Sequence, residues 1–197
     1  MKMSRVFLFL VIGLTAVFII FGIPNYNNMV VMRENVEKSY AQVQNVLQRQ
    51  AELIPNLAET VKGYATHEQK TFIDTAAARA KTILATNPKD LANSVDKQRE
   101  MAAAVAATSA ALVNINAIRE AHPELKANAL FTDLMKSLEG SINRVTIERQ
   151  KNQAEVSKFN THVRQFPTVI FATLFGYGPY PYYIAAQESQ TAPKIKF

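Results

Sequence analysis

An apolar run of 18 residues, Val6 to Ile23, lies near the start of the chain and contains no charged side chain (VFLFLVIGLTAVFIIFGI). A helix needs about 20 apolar residues to cross the hydrocarbon core of a bilayer, with a lower limit near 17. A buried helix of a soluble protein rarely avoids polar residues for so long. A signal peptide has a shorter apolar core and a small-residue cleavage site, which this run lacks. We therefore predict an uncleaved transmembrane helix, which includes Val6, Phe9, Leu14, Phe18 and Ile23.

The charges that flank this run predict its orientation. Lys2 and Arg5 precede it, whereas the first positive charge after it, Arg33, is followed at once by Glu34. Because the cytoplasmic side of a membrane protein is enriched in Lys and Arg, we expect a cytoplasmic N-terminus and a single crossing, with the remaining residues on the other side. The bias is small and leaves the opposite orientation open. The absence of cysteine suits an oxidising compartment but does not require one.

The composition beyond the run predicts an all-α protein. Between residues 25 and 166 the only glycines are Gly63 and Gly140, and residues that favour helices dominate. The net charge of +6 comes from charges of mixed sign spread along the helices, as on a solvated surface, although contact with anionic lipid is an alternative. No basic stripe with stacking aromatic residues is present, so we expect no nucleic-acid partner.

A heptad pattern predicts how the helices pack. Residues separated by four and three positions in alternation form one seam along the first helix after the run. Such a seam is typical of a coiled coil and predicts left-handed packing in a long antiparallel bundle. We expect one helix over 26–86, kinked at Pro55, because the seam keeps its phase across this proline. The seam consists of Val36, Tyr40, Val43, Leu47, Gln50, Ile54, Leu57, Val61 and Tyr64.

Two further helices complete the predicted bundle, over 90–121 and 123–166. Proline residues at 88 and 123 mark the breaks between the helices. The third helix has a seam with the same alternating spacing, which runs from Leu138 to Phe166. The second helix is rich in small residues, and its expected core face is Val95, Ala102, Val105, Leu112 and Ile115.

Three polar residues, Gln50, Arg149 and Asn152, fall on core positions of these seams. The structural interpretation is a polar core layer that sets the register of the helices. The functional interpretation is a site for a ligand or a partner. The pattern favours the structural interpretation, because buried polar residues commonly serve helix pairing.

The chain changes character after Phe166-Pro167, where the third helix should end. Glycine and proline between residues 176 and 181 exclude a continuous helix there. We expect an irregular aromatic tail over 167–197 that packs on the bundle or on a neighbouring subunit, or rests in the membrane interface, where Tyr is common. The candidate oligomer or membrane contacts are Phe171, Phe175, Tyr177, Tyr180, Tyr182 and Tyr183.

Residues that could support catalysis are scattered. The histidines, His67, His122 and His162, have no second His or Cys within one helical turn, so the usual helical metal-ligand pairs are missing. The sequence contains neither a nucleophile elbow nor a glycine-rich phosphate loop. We expect no catalytic residue, no cofactor and no metal, and therefore no enzyme activity.

The block from Glu52 to Ala65, ELIPNLAETVKGYA, resembles the LemA family of bacterial membrane proteins. The tail is similar to this family in Phe159-Asn160, Phe166-Pro167, 174–177 and 192–194. The chain departs from the family at Tyr40, where Trp is usual, and at Arg49-Gln50, where a basic pair is usual. The centre of the family motif is Leu53, Ile54, Pro55, Asn56 and Leu57.

The resemblance implies a single anchor in the bacterial inner membrane, an extracytoplasmic helical bundle and no established enzymatic activity. From it and from the long seam we expect a membrane-anchored scaffold. It would act by homo-oligomerisation at the cell envelope, in membrane organisation or remodelling, with membrane lipid and further copies of the chain as partners. The alternative is an adaptor or accessory protein for an envelope protease or stress-response system, with an envelope protein as its partner.

Overall fold

The structure is a computed structural model that describes the backbone of residues 2–182 and the side chains of residues 6–67, 69–71 and 73–182. Tyr183, one of the predicted contacts, and the family-like segment 192–194 lie outside the described residues. Between residues 2 and 182 the protein is helical and contains no strand, which confirms the predicted all-α class. The helices are α1 (Lys2–Val61), α2 (His67–Leu84), α3 (Pro88–Asn93), α4 (Val95–Ala121), α5 (Pro123–Ala127), α6 (Ala129–Arg164) and α7 (Thr168–Leu174).

Helix α1 includes both the apolar run and the first part of the seam. It continues without a break through Pro24 and Pro55 and ends at Val61. The predicted single helix over 26–86 is therefore wrong, because a short link separates α1 from α2. Thr66 ends this link with a capping box, in which its hydroxyl accepts from the Gln69 backbone N–H and the Gln69 side chain accepts from the Thr66 N–H. These bonds satisfy N–H groups that a helix start leaves unpaired, and so favour a new helix at this point.

The two later helices are also divided. The predicted helix over 90–121 consists of α3 and α4, because Ser94 leaves the helical conformation and its hydroxyl accepts from the Lys97 N–H. The predicted helix over 123–166 consists of α5 and α6, with Asn128 between them. The Asn128 side chain accepts from the Phe131 N–H at 3.0 Å. In both places a residue that caps helices well has started a new helix within a segment of high helix propensity.

The described residues form two compact units. The anchor unit contains residues 2–36 and 154–180, and the bundle unit contains residues 37–153 with Pro181 and Tyr182. The bundle unit has an apolar core to which α1, α2, α4, α5 and α6 contribute. Central members of this core are Ile54, Leu57, Ile73, Ile115, Phe131 and Leu138.

The buried face of α4 differs from the predicted one. Val95, Val105 and Leu112 are only half-buried, whereas Ala102 and Ile115 are buried as expected. The physical reason is that residues 101–113 of α4 are small or apolar on nearly every side, so the sequence does not mark a single face there. Helix α4 packs along α2. Its buried face consists of Gln98, Met101, Ala104, Thr108, Ala111, Ile115 and Ile118, with Ala102 beside it.

Helices α1 and α6 run antiparallel within the bundle unit. The Ser141 hydroxyl donates to the Val46 carbonyl at 3.3 Å, and the Asn152 amide donates to the Ser39 hydroxyl at 2.8 Å. Gln50 and Asn152 are both buried, but Asn152 lies level with Ser39, about 16 Å along the helix from Gln50 at 1.5 Å per residue. Arg149 is only half-buried. The predicted single polar layer is therefore wrong, because the antiparallel register places its members at different levels.

The anchor unit contains the first part of α1, the end of α6, α7 and the residues that follow α7. The tail is less irregular than predicted, because residues 168–174 form α7. Gly176, with a φ of 74°, ends this helix: the Gly176 N–H donates to the Thr173 carbonyl and the Tyr177 N–H donates to the Ala172 carbonyl. These two bonds define a Schellman motif, which favours glycine at the left-handed position.

Candidate membrane contact and interaction surfaces

The described part of the tail is attached to α6 through Asn160. The Asn160 side-chain amide donates to the Tyr180 carbonyl at 2.8 Å, and the Tyr180 N–H donates to the Asn160 Oδ1 at 2.7 Å. Both residues are buried, and the ring of Tyr180 packs against Phe159 at a centroid distance of 4.9 Å. The family-like pair Phe159-Asn160 therefore positions the chain that follows α7.

Helix α7 packs directly on the apolar run of α1. The ring of Phe171 lies 5.4 Å from the ring of Phe18. It also lies over Gly22, where an added Cβ atom would come within 3.2 Å of Phe171 Cε1. A hydrogen bond of 2.7 Å joins the Thr168 hydroxyl to the side-chain oxygen of Asn25. Gly22 thus permits a close approach that a side chain at this position would obstruct.

Further aromatic contacts follow the end of the run. The ring of Tyr26 lies 5.1 Å from Phe175 and 6.1 Å from Tyr177. The guanidinium carbon of Arg33 lies 5.4 Å above the ring of Tyr177, within the range of a cation–π interaction. Burial among these rings raises the pKa of Tyr177, and the positive charge of Arg33 opposes this rise. The Tyr177 phenol is therefore neutral at physiological pH.

The predicted contact residues of the tail have different surroundings. Phe171 and Tyr180 are buried inside the anchor unit, so they are unavailable as lateral contacts, and this part of the prediction is wrong. Tyr177 is half-buried beside Arg33. Phe175 and Tyr182 are exposed and stay candidates for an oligomer or membrane contact.

A second surface lies on α4, opposite its buried face. Ala106, Ala110, Val113 and Ala117 are separated by four, three and four positions, and all four are exposed. Val113 alone has 68% of its surface exposed. We call these residues the α4 stripe. The stripe has the heptad spacing of a helix-packing surface, yet no described residue covers it.

A polar groove lies between α1 and α6 in the bundle unit, with a volume of about 520 Å³. Arg49, Lys136 and Arg144 line it, and none of the three forms an ion pair or hydrogen bond with a described residue. Its acidic residue, Glu148, is paired with Lys151 at 2.9 Å. The groove therefore has an excess of uncompensated positive charge. Its other lining residues are Gln42, Asn45, Val46, Ser137, Gly140 and Ser141.

The candidate catalytic side chains are not brought together. Across the described side chains, no three His, Asp or Glu residues are grouped so that they could hold a metal ion. His122 packs on the ring of Tyr64 at 4.8 Å and lies 3.5 Å from a carboxylate oxygen of Glu124. The absence of enzyme activity stays a prediction from the sequence.

These observations define a class of protein: an all-helical chain whose N-terminal helix is long and apolar enough to anchor it in a membrane. Both α1 and α4 pass this test by length and composition, although α4 also has a face in the core of the bundle unit. The chain belongs to the LemA family, whose sequence model matches residues 39–197. It matches none of the curated proteins with which it was compared.

Proposed function

We propose that the protein is a membrane-anchored, non-enzymatic scaffold of the bacterial cell envelope that acts by homo-oligomerisation, in membrane organisation or remodelling. Its anchor is a single crossing of the inner membrane by the first part of α1, with the N-terminus in the cytoplasm and the bundle unit outside it. The observation that carries the proposal is the exposed α4 stripe.

Helix α4 has apolar residues on two opposite faces, and the described residues cover only one of them. A helix that is apolar all round is normally buried, either in a core or in a membrane. We therefore expect a further partner to cover the α4 stripe. A second copy of the same stripe is a suitable partner because small residues allow two helices to approach closely, and the heptad spacing keeps them in contact.

The neighbour of α4 argues against a second membrane crossing. Helix α4 packs along α2, whose exposed residues include Lys70, Asp74 and Arg79. If α4 crossed the bilayer with its packing partner, these charges would enter the hydrocarbon core, where each of them is costly. An aqueous location with a protein partner on the stripe accommodates both helices.

The mass of the full-length protein in mild detergent tests the proposal. We expect an oligomer at micromolar concentration, and we expect Val113→Glu to reduce its mass because a charge would be placed in the helix–helix contact. Ile147→Glu is the matched control, since Ile147 is an equally apolar, exposed residue on α6. A monomeric wild-type protein would refute the scaffold, and equal losses in both variants would refute the assignment to α4.

The groove between α1 and α6 favours the second candidate, an adaptor for an envelope protein. Arg49 and Lys136 lie near one end of it and Arg144 near the other, eight residues or about 12 Å from Lys136 along α6. An extended segment that carries two acidic residues three or four positions apart would match this separation at about 3.3 Å per residue. The occupant of the groove would then be an acidic segment of the partner.

Purification of the full-length protein after cross-linking in cells tests this candidate. We expect one partner in stable proportion, lost in the double variant Arg49→Glu, Arg144→Glu. Arg79→Glu is the control, because Arg79 is an exposed cation on α2, outside the groove. Recovery of this chain alone would argue against the adaptor and would leave the scaffold intact.

A further inference from the structure

We propose that α7 is a second membrane contact, which lies in the interface of the bilayer beside the anchor and places its outer face against lipid acyl chains. This inference rests on the proposed anchoring by α1. It goes beyond that proposal because it assigns a lipid-facing role to a segment about 145 residues later in the chain.

The contacts of α7 with α1 set its depth. Phe171 touches Phe18 and Gly22, which belong to the apolar run, whereas Thr168 bonds to Asn25 and Phe175 packs on Tyr26, just beyond the run. Phe18 lies about 7 Å deeper along the helix than Ile23 at 1.5 Å per residue. If the run crosses the bilayer, α7 is therefore level with its last turns, at the border between acyl chains and headgroups.

The outer face of α7 suits that position. Ile170 and Leu174 have 55% and 60% of their surface exposed, and Val169 and Phe166 are exposed beside them. No charged residue occurs between Arg164 and Glu188, so nothing in this segment opposes contact with the acyl chains. In water this apolar surface would be unfavourable, and it lies beside the equally exposed apolar surface of the anchor.

A small groove between α1 and the end of α7 extends the same surface. Its volume is about 250 Å³, and its lining is almost entirely apolar. Three of its residues, Phe18, Ile19 and Ile23, belong to the apolar run and are exposed there. Because the groove opens on the same side chains that must face lipid, an acyl chain is the occupant that the anchor itself supplies. The remaining lining residues are Gly22, Tyr26 and Phe175.

The order of residue types along the contact also fits a bilayer interface. Phenylalanines pair beside the run, Tyr26 follows at its end, and Tyr177 with Arg33 lies furthest along α1. Aromatic residues with a polar group are enriched at the membrane–water boundary, and Arg extends towards the headgroups. At the C-terminal end of α7 the carbonyls of Phe171, Ala172 and Thr173 accept hydrogen bonds from the residues that follow, as a low-polarity environment requires.

The chain contains no tryptophan, so a single introduced tryptophan can report its own depth. We would reconstitute full-length Ile170→Trp, Leu14→Trp and Ile147→Trp separately into phosphatidylcholine vesicles whose acyl chains carry bromine, a short-range quencher of fluorescence. Leu14 lies in the middle of the run and Ile147 on the bundle unit, and all three side chains are exposed. Circular dichroism would show that each variant keeps its helix content.

We expect strong quenching for Leu14→Trp and Ile170→Trp, several-fold greater than for Ile147→Trp. Ile170→Trp should respond more to bromine near the headgroups and Leu14→Trp more to bromine near the bilayer centre. Quenching at position 14 without quenching at position 170 would overturn the inference and leave the anchor intact. If Ile170→Trp is protected from quenching only at high protein concentration, the outer face of α7 contacts a second copy of the chain. That result would also overturn the inference of a membrane contact. Absence of quenching at position 14 would overturn the anchoring itself.

Discussion

The side-chain amide of Asn160 pairs with both backbone polar groups of Tyr180, 20 residues later in the chain, with hydrogen bonds of 2.8 and 2.7 Å. The side chain of one asparagine thus provides both backbone hydrogen bonds that a neighbouring strand would provide to a residue in a sheet. Since both partners are buried, the pair fixes the path of residues 175–180 across the anchor unit.

Replacement of Asn160 by Ala should release this segment. The variant removes both hydrogen bonds between Asn160 and the buried Tyr180, and loss of a side chain that bonds to a buried polar group costs about 1–3 kcal/mol. We expect faster hydrogen exchange of backbone amides after α7, with little change in the bundle unit. Asn143→Ala removes an exposed amide from the same helix and is the control. Unchanged exchange near Tyr180 would contradict the role of the pair.

A Gly176→Ala variant should destabilise the end of α7. Gly176 has a φ of 74°, a conformation that costs a residue with a Cβ atom about 1–2 kcal/mol. Gly178 is the matched control, because its φ is not positive and its surroundings are equally open. Thermal unfolding of both variants in detergent would measure the difference. Equal midpoints would show that the Schellman motif contributes nothing at this position.

Leu57→Ala should be among the most damaging single changes in the bundle unit. Leu57 is fully buried in the core that five helices share, and truncation of a buried leucine costs about 2–5 kcal/mol. Leu130→Ala should cost far less, since Leu130 is largely exposed on α6. The free energy of unfolding from urea titration would compare the two. Similar small losses in both would mean that Leu57 is not a core residue.

The hydrogen bond between α1 and α4 should be sensitive to loss of one hydroxyl. Gln98 donates from Nε2 to the Tyr40 hydroxyl at 2.8 Å, and both residues are fully buried. In Tyr40→Phe the Gln98 amide keeps only a longer bond of 3.4 Å to the Ala92 carbonyl, so we expect a loss of about 1–3 kcal/mol. Tyr64→Phe, at an exposed ring, should change stability little. If both substitutions have the same effect, the bond contributes no net stability.

The first heptad seam could be predicted because it depends only on the spacing of apolar residues within one helix. From Val36 to Val61 every predicted member is buried, including the polar Gln50. Tyr64 is the exception, because α1 ends before it. The sequence does contain signs of this helix end, in Gly63 and in the capping-box pair Thr66 and Gln69. A capping box of neutral residues is, however, a weaker signal than a regular spacing of apolar residues. The prediction that Phe166 belongs to the seam of the third helix was wrong for the same reason. Helix α6 ends at Arg164, and the side chain of Phe166 is 82% exposed.

The α4 stripe and α7 were harder to predict. Helix α4 has apolar residues on every side, so its sequence alone does not tell a buried face from an uncovered one. The sequence does not distinguish the phenylalanine inside α7 from the one that follows it, yet Phe171 is buried and Phe175 is exposed. Phe171 approaches α1 closely at Gly22, which lies about 150 residues earlier in the chain.

The sequence by itself determined the helical class, the apolar anchor helix and the residues of the main seam, because helix propensity and apolar period act over a few turns of one segment. Only the tertiary structure decided where the predicted helices break, which polar residues share a level and which face of α4 and α7 stays uncovered. These features depend on distant segments that meet in an antiparallel register, such as Ser39 with Asn152 and Asn160 with Tyr180.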